Sequence, residues 1–163
     1  MKHGEIRLRY IDGDGDPTDT LPLLSLKELK GLRVDVYRNL RKKCWSIRAM
    51  EGRRKGRVVA HADSLHLYHC KFHVSEAGRQ RVLREKKKNV HAWVSGYFSM
   101  NSIRPNELGH VGVGERYFTP EPIKYNPYQM KEFQTLDGVP CSESPRVNFY
   151  SDGSATTLIE GSK

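Results

Sequence analysis

The sequence predicts an α+β fold: a mostly antiparallel sheet with one principal basic helix, about residues 76–88, packed on it. Three observations lead there. Short runs of alternating apolar and polar residues recur along the chain, bounded by Gly, Pro, Asn or Asp, as half-buried strands require. One segment after Ser75 has no proline, little β-branched crowding and helix-end signals on both sides. The length of 163 residues suits one domain large enough to bury a core. Residues 1–30 read as an N-terminal extension and residues 31–160 as the single α+β domain.

The first strand candidate, Glu5–Ile11, alternates Ile6, Leu8 and Tyr10 with charged residues and meets the turn cluster Asp12–Pro17. Ser25 is placed to cap a short helical turn that ends near Gly31. Val34–Tyr37 and Cys44–Ile47 flank the polar connection Asn39–Lys43 and predict a hairpin. A basic turn, Glu51–Gly56, leads into Arg57–Ala62, and the runs around Leu65, Leu67, Cys70, Phe72 and Val74 continue the alternation. Ser75 then serves as N-cap with Glu76 in the first turn, while Asn89 follows three lysines that suit a helix C-terminus. Val90–Phe98 reads as a largely buried strand, and Asn101–Gly114 as a loop. In the tail, strand candidates at Arg116–Thr119, Pro122–Tyr125, Pro145–Tyr150 and Thr156–Glu160 alternate with the turns Leu136–Gly138 and Ser151–Gly153.

The charge is the strongest functional signal. The formal net charge is +9, yet residues 1–29 hold 4 basic and 6 acidic side chains and residues 89–163 hold 6 and 8. Residues 30–88 hold 18 and 5, so the whole excess lies in one central stretch. Solubility needs no such concentration, whereas a surface that meets phosphates does. Within the predicted helix, Arg81, Arg84 and Lys88 fall within about 60° of one another, with Val82 and Leu83 on the other side. They form the expected phosphate-binding ridge, flanked by Arg41, Lys42, Lys43, Arg53, Arg54 and Lys55 from two basic turns. The competing reading is a solvated face. Tyr37, Trp45 and Tyr68 offer stacking faces for unpaired bases if they are not spent on the core. No helix-turn-helix, zinc-finger or ribonucleoprotein signature occurs, so sequence-specific readout is not expected, and the partner is DNA or RNA.

Other constellations are weaker. His61, His66, His69, Cys70 and His73 crowd together, but an extended chain puts Cys70 on the face opposite His69 and His73, and no second pair completes four zinc ligands. Asp12, Asp14 and Asp16 resemble the start of a calcium loop that Pro17 and Leu23 then spoil. Gly109–Gly114 lacks the ending of a phosphate loop. No metal and no cofactor is expected. His61 with Asp63, or His66, would serve acid–base cleavage of a phosphodiester if the chain were a small basic nuclease. The three cysteines are far apart and read as thiols in a reducing compartment. No apolar run approaches the ~20 residues of a membrane span, and the first residues lack a signal peptide's apolar stretch, so the expected location is the bacterial cytoplasm.

Gly56–Asp63 followed by Ala77–Ala92, and then Tyr125–Tyr128 with Phe133 and Asp137-Gly138, resemble small basic proteins encoded by bacteriophages and prophages. The resemblance spans roughly residues 34–150. It implies a phage origin and brings no activity with it. The expected function is therefore a non-enzymatic, nucleic-acid-binding phage accessory protein. An inhibitor that binds a host defence or nuclease complex is the first alternative, then the nuclease, then a virion component.

Overall fold

A computed structural model of the chain describes residues 6–9, 24–39, 42–75, 77, 80, 84, 92–101, 118–124 and 133–160. In chain order the elements are β1 (Arg7–Arg9), α1 (Leu26–Leu29), β2 (Arg33–Asn39), β3 (Cys44–Ala49), β4 (Val58–Val74), β5 (Ala92–Ser99), β6 (Phe118–Lys124), β7 (Phe133–Gln134), β8 (Pro140–Cys141), β9 (Glu143–Phe149) and β10 (Ser154–Glu160). Eight strands make one antiparallel sheet in the order β3-β2-β5-β4-β9-β10-β6, with β1 on β4, and β7 pairs with β8 separately.

This corrects the α+β expectation: the fold is nearly all-β. Among the described residues the one complete helix is α1, four residues long. Of the predicted helix at 76–88, only Ala77, Gln80 and Arg84 are described; each is helical and exposed, and Val82 and Leu83, the side expected to dock, lie outside the described residues. The physical reason lies in how the sheet covers itself. β3 pairs with β2, β2 with β5, β5 with β4, and β4 with β3 again, so these four strands form a closed ring. Val36, Trp45 and Val94 of the ring meet Ile123, Phe133 and Phe149 in a shared core that, among the described residues, is built by strands.

β4 is the hub. Its seventeen residues replace the three short runs expected there, and it pairs with β1, β3, β5 and β9. Breaks in phase hid its continuity. The register shifts between Tyr68 and Lys71, where His69 takes a positive φ of 51°, so apolar positions change parity across this bulge. The bulge presses on β5 at Gly96, where a Cβ would stand 3.0 Å from the Tyr68 carbonyl oxygen. Only glycine fits without displacement. At the sheet's far end β6 carries Pro120 and Pro122, both paired with β10. Proline suits an edge because it has no N–H to leave unpaired there.

The predicted hairpin forms, with Val34–Asn39 against Cys44–Ala49. Ser25 caps α1 as expected: its hydroxyl accepts from the Glu28 N–H, and the Glu28 carboxylate accepts from the Ser25 N–H. Among the described residues, no helix is long and apolar enough to cross a membrane.

Candidate nucleic-acid interface

β5 sorts its side chains cleanly by parity. Ala92, Val94, Gly96 and Phe98 are buried, while Trp93, Ser95 and Tyr97 are half-buried and point to the other face. Residues directly opposite one another across a ladder share a face, so the pairings map what else stands there. Tyr97 faces Tyr68 on one side and Arg33 on the other, and Tyr68 faces Arg146 in turn. One row across four strands thus reads Arg146, Tyr68, Tyr97, Arg33. The next row reads Glu143, Lys71, Ser95, Asp35, Arg48, and beyond it His73 faces Trp93.

The rings on this face are ordered by one another. Tyr68 and Tyr97 stack with centroids 5.3 Å apart and planes 25° from parallel. His69, lifted by the bulge, meets Tyr68 and Tyr97 edge-on at 5.1 and 6.3 Å. His73 stacks on Trp93 at 5.3 Å and 13°, and its Nε2 lies 2.8 Å from the Ser95 hydroxyl. Asp35, 4% exposed, accepts from Arg48 at 3.0 Å. The Arg146 guanidinium donates to the Asn101 carbonyl, which steadies it at the end of its row.

The two predicted basic turns lie apart. Lys42 and Lys43 sit in the β2–β3 turn, whereas Arg53, Arg54 and Lys55 sit in the β3–β4 turn at the opposite end of the hairpin. Six residues of strand separate the two turns, about 20 Å. The β3–β4 turn starts beside Arg33, whose N–H donates to Glu51 Oε1 and whose carbonyl accepts from Met50 N–H, so it adjoins the aromatic rows. Arg53, Lys55 and Lys43 are exposed, and Arg54 and Lys42 half-buried. Arg84 is exposed, while Arg41, Arg81 and Lys88 lie outside the described residues.

Of the stacking candidates, Trp45 is core. It is 2% exposed, donates to the Tyr150 carbonyl at 2.8 Å, and lies beneath the Arg38 guanidinium. Tyr68 is half-buried on the face of Trp93 and Tyr97, and Tyr37 is half-buried on the same side of β2 as Arg33. Sequence reasoning missed Trp93 and Tyr97 on this face, because it read Val90–Phe98 as largely buried. The signal was present in Trp93-x-Ser95-x-Tyr97, whose strict alternation with Val94 and Gly96 marks a two-faced strand rather than a buried one.

The alternative catalytic residues lie elsewhere. His61 is 5% and His66 2% exposed, and Asp63 is half-buried. His61 Nδ1 lies 3.0 Å from the Ser46 hydroxyl, which accepts from Asn39 Nδ2, and 4.0 Å from Cys44 Sγ. Such burial weighs against acid–base work on an external phosphodiester. Cys44, Cys70 and Cys141 are buried and form no disulfide with one another, and burial pushes the Cys70 thiol up, which disfavours the thiolate. Among the described residues no three His, Cys, Asp or Glu side chains gather as a metal site.

A phage protein family described as the Mycobacterium phage L5 gene 82 protein matches residues 28–157. The chain belongs to that family. The Gene 82 protein of Mycobacterium phage L5 is 38% identical over 110 residues, covering 64% of this chain and 78% of that protein. No solved structure matches. Both aromatic rows and both basic turns fall inside the matched span.

Proposed function

We propose that this phage protein binds nucleic acid without cleaving it, holding phosphates through the cations of its central segment. The observation that carries the reading is the charge of residues 30–88, 18 basic against 5 acidic, together with how those charges are disposed. Arg33, Lys43, Arg53, Lys55, Lys71 and Arg84 are exposed. Of the five acids, Asp35 is held by Arg48, and the Glu51 carboxylate accepts from the Arg33 N–H. A surface of this kind draws a polyanion and releases its counterions.

The test is fluorescence anisotropy with labelled duplex DNA, single-stranded DNA and RNA across a salt series. Binding should weaken steeply as salt rises, with a log–log slope of about −0.7 to −0.9 per phosphate neutralised. Reversing Arg53, Arg54 and Lys55 to glutamate should lower affinity and make that slope shallower by roughly two to three. No binding of any of the three probes at roughly 50 mM salt overturns the reading. A host protein complex that stays on the tagged chain after nuclease digestion, with no oligonucleotide binding, replaces it by the inhibitor reading.

A further inference from the structure

We infer that the face of β5 and its neighbours is a base-stacking platform, which makes the bound partner an unpaired strand rather than a duplex. The inference rests on the nucleic-acid reading above and adds the class of nucleic acid and the residues that select it.

Two short columns of rings lie on this face, Tyr68 with Tyr97 and His73 with Trp93, each pair already stacked. The four rings are half-buried, so part of each reaches the surface, and partly exposed aromatic rings are what unpaired bases stack on. The Tyr column ends in cations: Arg33 beyond Tyr97 and Arg146 beyond Tyr68, about 14 Å apart across three strand spacings. Lys71 stands in the row between the two columns. Bases on the rings and phosphates on the flanking cations therefore satisfy both halves of a single strand. Duplex DNA has its bases paired and stacked inside, so it meets the cations but not the rings. Of the acids in these rows, Asp35 is neutralised by Arg48, while the exposed Glu143 stands directly opposite Lys71 and offsets that one cation, which leaves Arg33 and Arg146 as the phosphate contacts.

Ordering is what suits these rings to the task. Ser95 holds His73, the bulge holds His69 against both tyrosines, and little rotamer freedom is left to lose on binding. No protein partner is needed to explain rings that are stacked, half-exposed and flanked by cations.

The experiment uses the full chain with oligo-dT, oligo-U and a DNA duplex of equal length. Single strands should bind more tightly than the duplex and quench Trp93 emission, and Trp93→Phe should remove that quench while Trp45 continues to emit from the core. Tyr97→Ala and Tyr68→Ala should each weaken single-strand binding roughly five- to a hundredfold. Tyr97→Phe should bind like the parent. Duplex affinity and the salt slope should stay where they were, since phosphate contacts are untouched. Duplex binding equal to single-strand binding, or no quench at saturation, overturns the platform while leaving phosphate binding intact. Failure of every probe to bind the parent chain overturns the underlying reading instead. The quench needs no destabilising variant, so loss of folding in an alanine variant does not blur the outcome.

Discussion

At the scale of single residues, Gly96 couples the core to the face. Its missing side chain lets the β4 bulge approach, and the bulge in turn sets Tyr68 and His69 against Tyr97. Gly96→Ala puts a methyl 3.0 Å from a backbone oxygen and 3.3 Å from Cys70 Sγ, and neither neighbour is the loose end of a flexible chain. It should destabilise by about 1–3 kcal/mol, read from the denaturant midpoint, and should weaken single-strand binding although residue 96 faces the core. Asp35 and Arg48 give a second, asymmetric case. The carboxylate side chain is 6% exposed and the guanidinium 37%. Removing Arg48 strands a buried charge, while removing Asp35 leaves a cation that reaches water. Arg48→Ala should therefore cost more than Asp35→Ala, by about 1–2 kcal/mol in paired unfolding curves.

At the scale of elements, α1 is too short to persist by propensity and depends on its capping box. Hydrogen bonds from Ser25, backbone first and then side chain, hold the Glu28 carboxyl below its usual value of 4.5. A depressed carboxylate stabilises above its unfolded value and loses that contribution as pH falls through its folded one. Ser25→Ala should cost about 1 kcal/mol near neutrality, and the gap in melting temperature should narrow below about pH 4. Local signals of this kind are legible in sequence: the cap at Ser25, the hairpin around Lys43, and the turns that Gly138 and Gly153 make at φ of 87° and 90°. What stays hidden is long-range. The alternation in 58–74 is broken by a bulge, so one strand reads as three. The stacking face needs the register of β2, β5, β4 and β9 together, and no local pattern in any one of them states it. The helical spacing after Ser75 is real at Ala77, Gln80 and Arg84, but spacing alone does not say that, among the described residues, strands build the core.

At the scale of the whole molecule, charge and topology act on different surfaces. The cations crowd the N-terminal ring β2–β5, whereas β6, β9 and β10 contribute mainly cover to the core. The one cation from that second half on the aromatic face is Arg146, among the described residues. That division has a consequence for how the protein is made. A ribosome delivers residues 33–99 first, and these already contain all four strands that close the ring. Yet Leu65 to Lys71 wait for Glu143–Phe149 before their other edge is paired, and Trp45 waits for Phe149. Unlike β6, with its two prolines, that stretch of β4 has only its bulge and Lys71 to discourage another strand. Throughout the intervening synthesis it is open to the wrong neighbour, so the interval between translating residue 74 and residue 149 is when a nascent chain is most exposed to aggregation.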